Sequence, residues 1–486
     1  MVEFAFEGID KPNEYIELIK MFLRPSEFRV ATDGAAGALA GATTVGPGAA
    51  MGMAADGAGA VTGEACTARI ALPQRLVAQG DKNAIKRFIF DSLADGCGLG
   101  ARKPEWGILT GVRPVKLFGE LAAANGLEAA RAIMRGSYYV SEKKLGLVTR
   151  IHGFQRRHID APPKGGVGLY IGIPFCPTRC EYCSFPSNQK PYGAISQYLG
   201  ALRSEILAVS GGMEKKGLYA ETVYIGGGTP TTLNEEDLDG LLGLVNQCFR
   251  TPALRELTVE AGRPDTVTEG KLASMARHGV TRISINPQSM NSGTLSAIGR
   301  DHSPEDIHRA FAAARQAGLP VINADIIAGL PGEEEGGFEE SLNELIGLGP
   351  DNITVHTLAV KRAAKLKEND SEYSYSRARA ASLMLGAAER ALSAAAYEPY
   401  YLYRQKQTAG NLENTGYTKG ALPCLYNVRI MEENQSIVAL GAGASSKAYY
   451  PEENRLERVF NVSNYEIYIE RLPEMLERKA KFLAAL

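Results

Sequence analysis

The chain lacks three features that would assign it to common functional classes. Its 53 basic and 55 acidic residues leave a net charge of −2, so no excess of positive charge suits a nucleic-acid partner. Its cysteines number only seven, an odd count that favours a reducing compartment over a disulfide framework. The residues after Met1 lack the basic-then-apolar order of a secretory signal. We therefore expect a cytoplasmic protein of two or three domains.

The chain also lacks a long run rich in leucine, isoleucine and phenylalanine. Residues 34–55 carry no charged side chain, and a segment of that length can span a bilayer. However, 21 of the 33 residues in 31–63 are Gly or Ala, which bury little area, and Pro47 interrupts the run. We interpret 31–63 as a surface insertion and expect no membrane partner.

What the chain does have is a cluster of cysteines. Cys176, Cys180 and Cys183 stand in the stretch GLYIGIPFCPTRCEYCSF with the spacing C-x3-C-x2-C. Three thiolates on one loop can bind three corners of a [4Fe–4S] cluster and leave the fourth iron open. A zinc knuckle or three core cysteines is the alternative. Structural zinc needs four ligands, however, and the closest further candidate is His158.

The other cysteines are scattered, and we expect them to be inert, partly buried thiols. They are Cys66, Cys97, Cys248 and Cys424.

From Leu169 onward, short β-type runs alternate with helical patterns, which predicts an α/β fold with a parallel sheet and right-handed crossovers. The predicted strands are 169–173, 222–225, 256–260, 282–286, 321–326 and 352–358. The clearest helices between them are 235–248, 268–278, 304–317 and 336–348.

Polar and glycine-rich signals follow these strands rather than precede them. The cysteines follow the first strand, and the run GGGTP from Gly226 follows the second. Glu260 and Asp325 lie where the third and fifth strands end. Because ligands collect at the carboxyl ends of parallel strands, these signals predict one shared site. Helix capping and ion pairing are the alternative roles of the two acids.

The chain divides into three predicted parts. Residues 1–160 form an N-terminal region that carries the insertion, an amphipathic stretch at 83–93 and the single tryptophan, Trp106, which we expect to anchor a core. Residues 161–396 form the α/β core, and residues 397–486 form a further α+β region.

The cysteine spacing resembles that of the radical S-adenosylmethionine (radical SAM) superfamily. The motifs YIGIPFCPTRCEYCSF, VYIGGGTPTTL, TVEAGRPDT, RISINPQS, AIGRDH and NADIIAGLPGE are similar to the oxygen-independent coproporphyrinogen III dehydrogenase family. The flanking stretches WGILTGVRPVKL, PYYLYRQK, GNLENTGY and IMEENQSIVALGAGASSK resemble its HemZ branch. The resemblance implies a partial (β/α)6 TIM-type barrel, a [4Fe–4S] cluster and SAM.

The resemblance also implies roles for individual residues. The cluster ligands would be Cys176, Cys180 and Cys183. A SAM site would be lined by Tyr170, Gly226, Glu260 and Arg300. A second or extended SAM region would be lined by Tyr182, Gly227, Gly228, Gln288, Asp325 and Ala359. Without the resemblance, Arg300 could equally form a surface ion pair.

The reaction that the resemblance implies begins when one electron reaches the cluster from a small flavodoxin- or ferredoxin-type protein. SAM cleavage then yields a 5′-deoxyadenosyl radical, which removes a β-hydrogen from a propionate of the tetrapyrrole substrate. Loss of CO2 and one electron leaves a vinyl group, and two rounds give protoporphyrinogen IX. Arg362, Arg404 and Lys406 are candidates to bind the substrate carboxylates, with solvated surface charge as the alternative.

Two other functions stay open. The chain has Gly172 where the best-studied branch has a histidine, and Phe185 where that branch has a further cysteine. Phe185 matches the branch associated with heme trafficking instead. The alternatives are a heme-binding chaperone and a radical SAM enzyme that acts on heme.

Overall fold

A computed structural model describes residues 1–9, 11–31, 43–44, 68–111, 113–183, 185, 187–360, 366, 373–405 and 408–486. Most of the predicted insertion lies outside the described residues, as do Cys66, Arg362 and Lys406. The described chain divides into two compact units. The first comprises Met1–Thr149 with Gly410–Leu412, and the second comprises Arg150–Ala409 with Glu413–Leu486. The chain on both sides of residue 397 belongs to the second unit, and the three-part division stays a prediction.

The first unit contains a parallel four-stranded sheet of order β2-β1-β4-β3. The strands are β1 (Val2–Ala5), β2 (Phe28–Ala31), β3 (Thr43–Thr44) and β4 (Ala68–Ala71). The helices are α1 (Asn13–Ile19), α2 (Gln74–Gln79), α3 (Lys82–Asp91), α4 (Pro114–Asn125) and α5 (Leu127–Gly136), with a π-helix at Ser92–Gly96. The predicted amphipathic stretch is confirmed as α3, and Trp106 is buried as expected.

The second unit is built on an eleven-stranded sheet of order β11-β12-β10-β9-β8-β7-β6-β5-β13-β14-β15. The first six of its strands along the chain are β5 (Gly166–Ile173), β6 (Tyr219–Gly227), β7 (Glu256–Glu260), β8 (Arg282–Ser284), β9 (Val321–Ala328) and β10 (Asn352–Thr357). The remaining strands are β11 (Glu398–Arg404), β12 (Glu413–Thr418), β13 (Ile437–Leu440), β14 (Ser445–Tyr450) and β15 (Arg455–Phe460).

Helices connect and cover these strands. They are α7 (Tyr192–Lys215), α8 (Glu235–Phe249), α9 (Glu269–Arg277), α10 (Ser292–Ala297), α11 (Pro304–Gln316), α12 (Glu335–Gly347), α13 (Tyr373–Ser376), α14 (Ala378–Ala394), α15 (Leu425–Glu432), α16 (Tyr465–Glu470) and α17 (Leu472–Ala485). Helix α6 (Glu142–His158) spans the boundary between the units. Among the described residues, no helix is long and apolar enough to cross a membrane.

The six predicted strands and the helices between them are confirmed. Strands β5 to β10 pair in parallel, and β5 is buried along nearly its whole length, as expected for a sheet covered on both faces. Helix α11 shows why its bounds were readable: the Ser303 side chain accepts from the Asp306 N–H, the Asp306 carboxylate accepts from the Ser303 N–H, and Pro304 occupies the first turn.

The C-terminal residues extend this sheet at both edges. Strand β13 pairs in parallel with β5, and β14 and β15 add antiparallel strands beyond it. On the other edge, β12 pairs antiparallel with β10, and β11 pairs with β12. The sequence predicts six parallel strands, whereas the structure has a seventh, β13. It was not predicted because a pairing between residues 168 and 437 leaves no local pattern in the sequence.

A buried ion pair joins α15 to β6. The Arg429 guanidinium donates to both carboxylate oxygens of Glu221 at 3.1 and 3.0 Å, and its Nη1 donates to the Asp160 carbonyl at 2.8 Å. Gln435 Nε2 donates to the same carboxylate at 2.6 Å. The side chains of Arg429 and Glu221 are 1% and 0% exposed, and the half-exposed Arg255 also places its Nη1 3.4 Å from Glu221 Oε1, so Arg429 is the buried one of two cations beside this carboxylate.

We expect Arg429→Met to destabilise the second unit by about 3 kcal/mol, because it removes the buried bidentate partner of the Glu221 carboxylate and leaves only the half-exposed Arg255 guanidinium beside it. Chemical denaturation followed by circular dichroism measures this. Arg455→Met is the matched control, since Arg455 forms ion pairs only with exposed acids in β15 and its flank. An equal change in both variants would contradict the assignment of Arg429 as a structural anchor.

Candidate active site

A cavity of about 360 Å³ lies at the carboxyl ends of the parallel strands in the second unit. The predicted site residues that line it are Cys176, Cys180, Cys183, Tyr182, Gly227, Gly228, Glu260, Gln288, Arg300, Asp325 and Ala359. Since these residues come from seven separate loops and strand ends, their convergence supports the expectation of one shared site.

The cysteine loop begins directly after β5. The Cys176 N–H donates to the Asn188 carbonyl at 3.2 Å, and the Cys183 N–H donates to the Cys180 carbonyl at 3.0 Å. The first bond joins the two ends of the loop and the second closes a tight turn within it, and all three cysteines line the cavity.

Burial disfavours the thiolate form of two of these cysteines, Cys176 and Cys183. It raises the pKa of Cys176 to about 11, partly offset by a 3.4 Å contact between its Sγ and the Thr229 hydroxyl. Burial likewise raises the pKa of Cys183. Iron ions favour the thiolate form strongly enough to overcome this cost, so three partly buried thiols on one loop fit an iron–sulfur cluster.

The three sulfur atoms do not converge on one point. Within the described part of the chain, no group of three or more His, Cys, Asp and Glu side chains is arranged to hold a single metal ion. A cubic cluster spreads its thiolate ligands over separate iron atoms, so its ligands need not converge.

The glycine loop after β6 lies against the cysteine loop. A Cβ on Gly228 would lie 2.5 Å from the Phe175 carbonyl oxygen and 3.0 Å from Cys176 Sγ. Gly227 adopts φ 114°, a conformation that side chains disfavour. A Cβ on Gly226 would lie 2.9 Å from the Glu260 carboxyl carbon. Only glycine therefore permits this approach of loop, cysteine and acid.

Glu260 and Asp325 are partly buried acids with opposite pKa shifts. Burial raises the pKa of Glu260 to about 7, the Tyr224 hydroxyl donates to its Oε1 at 2.6 Å, and the nearby Asp325 charge raises the pKa further. Burial also opposes ionisation of Asp325, yet His356 and Asn323 together hold its pKa below the ordinary value. The pair therefore combines a fixed anion with an acid that titrates near neutral pH.

Arg300 is buried beside the cysteines and is not a surface ion-pair member. Its Nη1 donates to the Asn286 carbonyl at 2.6 Å and to the Gly262 carbonyl at 3.3 Å. Burial opposes its charge, but Tyr182 and Cys180 raise its pKa. Its buried Nε–H has no hydrogen-bond partner within the described residues, so one donor is available to a bound anion.

The Gln288 side chain also carries an unpaired polar atom. It adopts φ 70°, a rare conformation for a residue with a side chain, and its backbone pairs with Asp325 and Ile327 at 3.0 Å each. Its buried Oε1 has no partner among the residues that the structure describes. A carbonyl oxygen left unpaired at a cavity wall suits a ligand that donates a hydrogen bond.

Two predicted residues lie behind the wall rather than on it. Tyr170 packs beside the stacked rings of Tyr224 and Tyr426 at centroid distances of 6.3 and 6.4 Å, and its hydroxyl lies 3.4 Å from where a Cβ of Gly227 would stand. Gly226 contacts Glu260 instead. Both shape the site from outside the cavity.

The sequence interpretation missed a polar wall from the C-terminal strands. Tyr401, Tyr403 and Gln405 alternate along and just after β11 and line the cavity. The stretch PYYLYRQK shows this alternation, but the sequence does not indicate which edge of the sheet the strand joins. Arg404, expected to bind substrate, does not line the cavity. It is buried beside Glu413, and burial lowers its pKa to about 10.

Comparison with known proteins agrees with this geometry. The radical SAM superfamily profile matches residues 170–345. The oxygen-independent coproporphyrinogen-III oxidase-like protein HemZ of Bacillus subtilis is 39% identical over 388 residues, covering 78% of this chain and 77% of that protein. The heme chaperone HemW of B. subtilis is 35% identical over 193 residues, covering 40% of this chain and 50% of that protein.

Among solved structures, the coproporphyrinogen III oxidase HemN of Escherichia coli matches with a TM-score of 0.52 at 21% identity, covering 67% of this chain and 73% of that one. The likeness confirms the radical SAM α/β fold. The HemZ match is long enough and identical enough to assign this chain to a family. The chain therefore belongs to the HemZ family of coproporphyrinogen oxidase-like proteins within the radical SAM superfamily, whose cofactors are a [4Fe–4S] cluster and S-adenosylmethionine.

Proposed function

We propose that the chain catalyses oxygen-independent oxidative decarboxylation of two propionate side chains of coproporphyrinogen III, giving protoporphyrinogen IX. The observation that carries this proposal is the cavity in which three cysteines, the glycine loop and the polar wall of Tyr401, Tyr403 and Gln405 meet. The HemZ relative supports it, because its similarity covers 78% of the chain and so extends beyond the superfamily match at 170–345.

In this proposal the three cysteines hold the cluster, and one iron stays open for SAM. Bound together, the cluster and SAM supply the one-electron chemistry that removes hydrogen from an unactivated carbon. The protein contributes position and exclusion of water. Gly226–Gly228 allow the ligand to approach the backbone, Arg300 offers its unpaired Nε–H to a carboxylate, and Glu260 accepts hydrogen bonds from hydroxyl or amino groups.

Each round of the reaction removes a hydrogen atom, CO2 and one electron from a propionate. Cleavage of SAM needs a one-electron donor to the cluster, for which we propose a small flavodoxin- or ferredoxin-type protein. The electron that the substrate loses needs a separate acceptor. Gln288, Asp325, Tyr182 and Ala359 lie on the same wall and are proposed to line the substrate or a second SAM.

Binding of heme is the second candidate function. Phe185, two residues after Cys183, is 60% exposed and lines the same cavity. An exposed aromatic ring beside a cavity favours a planar apolar ligand. Proteins named heme chaperone HemW are 29% identical to this chain over 308 residues in E. coli and 35% over 193 residues in B. subtilis.

We predict that Glu260 makes SAM affinity dependent on pH. With its pKa raised to about 7, the carboxyl is mostly protonated at pH 6 and ionised at pH 8, and the ionised form accepts hydrogen bonds more strongly. The ratio of wild-type to Glu260→Gln affinity should be about 10- to 150-fold at pH 8 and should fall by a factor of about 5 to 10 at pH 6, where only about a tenth of the carboxyl is ionised. Equilibrium binding of SAM to the cluster-containing protein in its oxidised state, in which SAM is not cleaved, measures it.

Using this ratio removes the titration of SAM itself, which affects both proteins equally. A ratio that stays constant across this range would show that Glu260 does not titrate in contact with SAM.

The decarboxylation proposal has a direct test. Anaerobic protein with reduced cluster, SAM, coproporphyrinogen III and a one-electron acceptor should release CO2 and form vinyl products. Addition of the substrate should raise the yield of 5′-deoxyadenosine. Tight binding and transfer of heme to an apo-acceptor, with no vinyl product, would replace this proposal with the chaperone function.

A further inference from the structure

The motif TVEAGRPDT contains a buried arginine to which the proposed function gives no role. Arg263 follows β7, is 3% exposed and lines the same cavity as the three cysteines. A guanidinium stays charged in proteins, and removing it from water costs free energy unless nearby groups compensate. A cation kept at this wall of the cavity favours a negatively charged group beside it.

The Arg263 guanidinium joins the loop after β7 to the cysteine loop. Its Nη1 donates to the Thr178 hydroxyl at 2.6 Å, and Thr178 lies midway between the first two cysteines. Its Nε and Nη2 donate to the two carboxylate oxygens of Asp265 at 3.0 and 3.2 Å. Because all three nitrogen atoms are bonded, the plane and the charge of the guanidinium are fixed relative to the cysteine loop.

Further hydrogen bonds hold the backbone of Arg263 in place. Its carbonyl accepts from the Thr266 N–H at 3.1 Å and from the Thr266 hydroxyl at 2.8 Å. The Thr266 hydroxyl also lies 2.6 Å from that of Thr231, in the turn that follows the glycine loop. The Lys271 ammonium donates to the carbonyls of Thr231 and Thr266 at 2.7 and 2.9 Å. Arg263 is therefore held by bonds that also join the cysteine loop and the glycine loop.

The positive charge of Arg263 acts on the cysteines. Burial raises the pKa of Cys176 to about 11, and the charge of Arg263 opposes this rise. The Asp265 carboxylate cancels only part of that charge, because its side chain is 30% exposed and screened by water, whereas that of Arg263 is 3% exposed. A [4Fe–4S] cluster with three thiolate ligands is an anion, and reduction adds one more negative charge. A fixed cation beside it therefore stabilises the reduced form more than the oxidised form.

We propose that Arg263 is a positioning residue that raises the reduction potential of the cluster, because Thr178 and Asp265 hold its positive charge against the cysteine loop. A higher potential makes the cluster easier for the proposed one-electron donor to reduce. The inference rests on the part of the proposed function in which the three cysteines hold the cluster. It does not depend on whether the protein decarboxylates coproporphyrinogen III or binds heme.

The test is redox titration of the full-length, cluster-containing protein at pH 8 without SAM, followed by the electron paramagnetic resonance signal of the reduced cluster. At the wild-type midpoint potential, Arg263→Gln should lower the ratio of reduced to oxidised cluster by about 3- to 10-fold, a shift of about 28 to 59 mV. Arg263→Lys keeps the charge and should stay near the wild-type potential. Arg277→Gln is the matched control and should change nothing, since Arg277 pairs with Asp239 at the surface and is 63% exposed.

Asp265→Asn separates the charge of Arg263 from its packing. Arg263→Gln and Asp265→Asn break the same paired contact, so a purely structural role would move the potential in the same direction in both variants. Asp265→Asn, however, removes a negative charge and keeps the positive one. We therefore expect it to raise the potential, whereas Arg263→Gln lowers it.

Shifts of the same sign in the two variants, or a wild-type potential in Arg263→Gln with normal iron content, would overturn the inference. If Arg263→Gln holds no cluster, a potential in Asp265→Asn at or below that of the wild type would overturn it. A wild type that binds no cluster would reject the cysteine assignment as well. Absence of vinyl products with the expected shifts would reject the decarboxylation alone, and vinyl products with unshifted potentials would reject this inference alone.

Discussion

The close approach of two backbone segments is the constraint on which the site depends. Gly228 donates to the Ile173 carbonyl at 2.8 Å and Thr229 donates to the Phe175 carbonyl at 2.7 Å, so the glycine loop lies directly on the start of the cysteine loop. Any side chain at Gly228 would collide with Phe175 and Cys176. This contact fixes the first sulfur atom relative to β5 and β6, and through Gly226 it also fixes Glu260.

Burial then determines the chemistry of the groups held there. The site keeps Cys176, Cys183 and Glu260 in forms that resist negative charge in the absence of a cation, because each has its pKa raised by burial. Arg300 keeps one buried donor unpaired, and Gln288 keeps one buried acceptor unpaired. These are the properties of a cavity completed by a charged cofactor, and they agree with the cofactors of the family.

The local parts of this account could be predicted from the sequence, whereas the long-range parts could not. Strands β5 to β10 and the cysteine and glycine loops follow from patterns a few residues long. The pairing of β13 with β5, and of β12 with β10, joins residues far apart in sequence and leaves no such pattern. For that reason the sequence interpretation missed Tyr403, whereas Arg404, a predicted candidate to bind substrate, alternates with it along the same strand and does not line the cavity.

The most direct test is Mössbauer spectroscopy of protein reconstituted anaerobically with iron-57, with and without SAM. We expect about four irons per chain in one cluster, and a distinct change at a single iron when SAM binds, because three cysteines leave one iron open. Cys176→Ala, Cys180→Ala and Cys183→Ala should each lose the cluster, and Cys248→Ala should keep it. Stoichiometric zinc in place of iron, or an iron cluster that does not respond to SAM, would contradict the account.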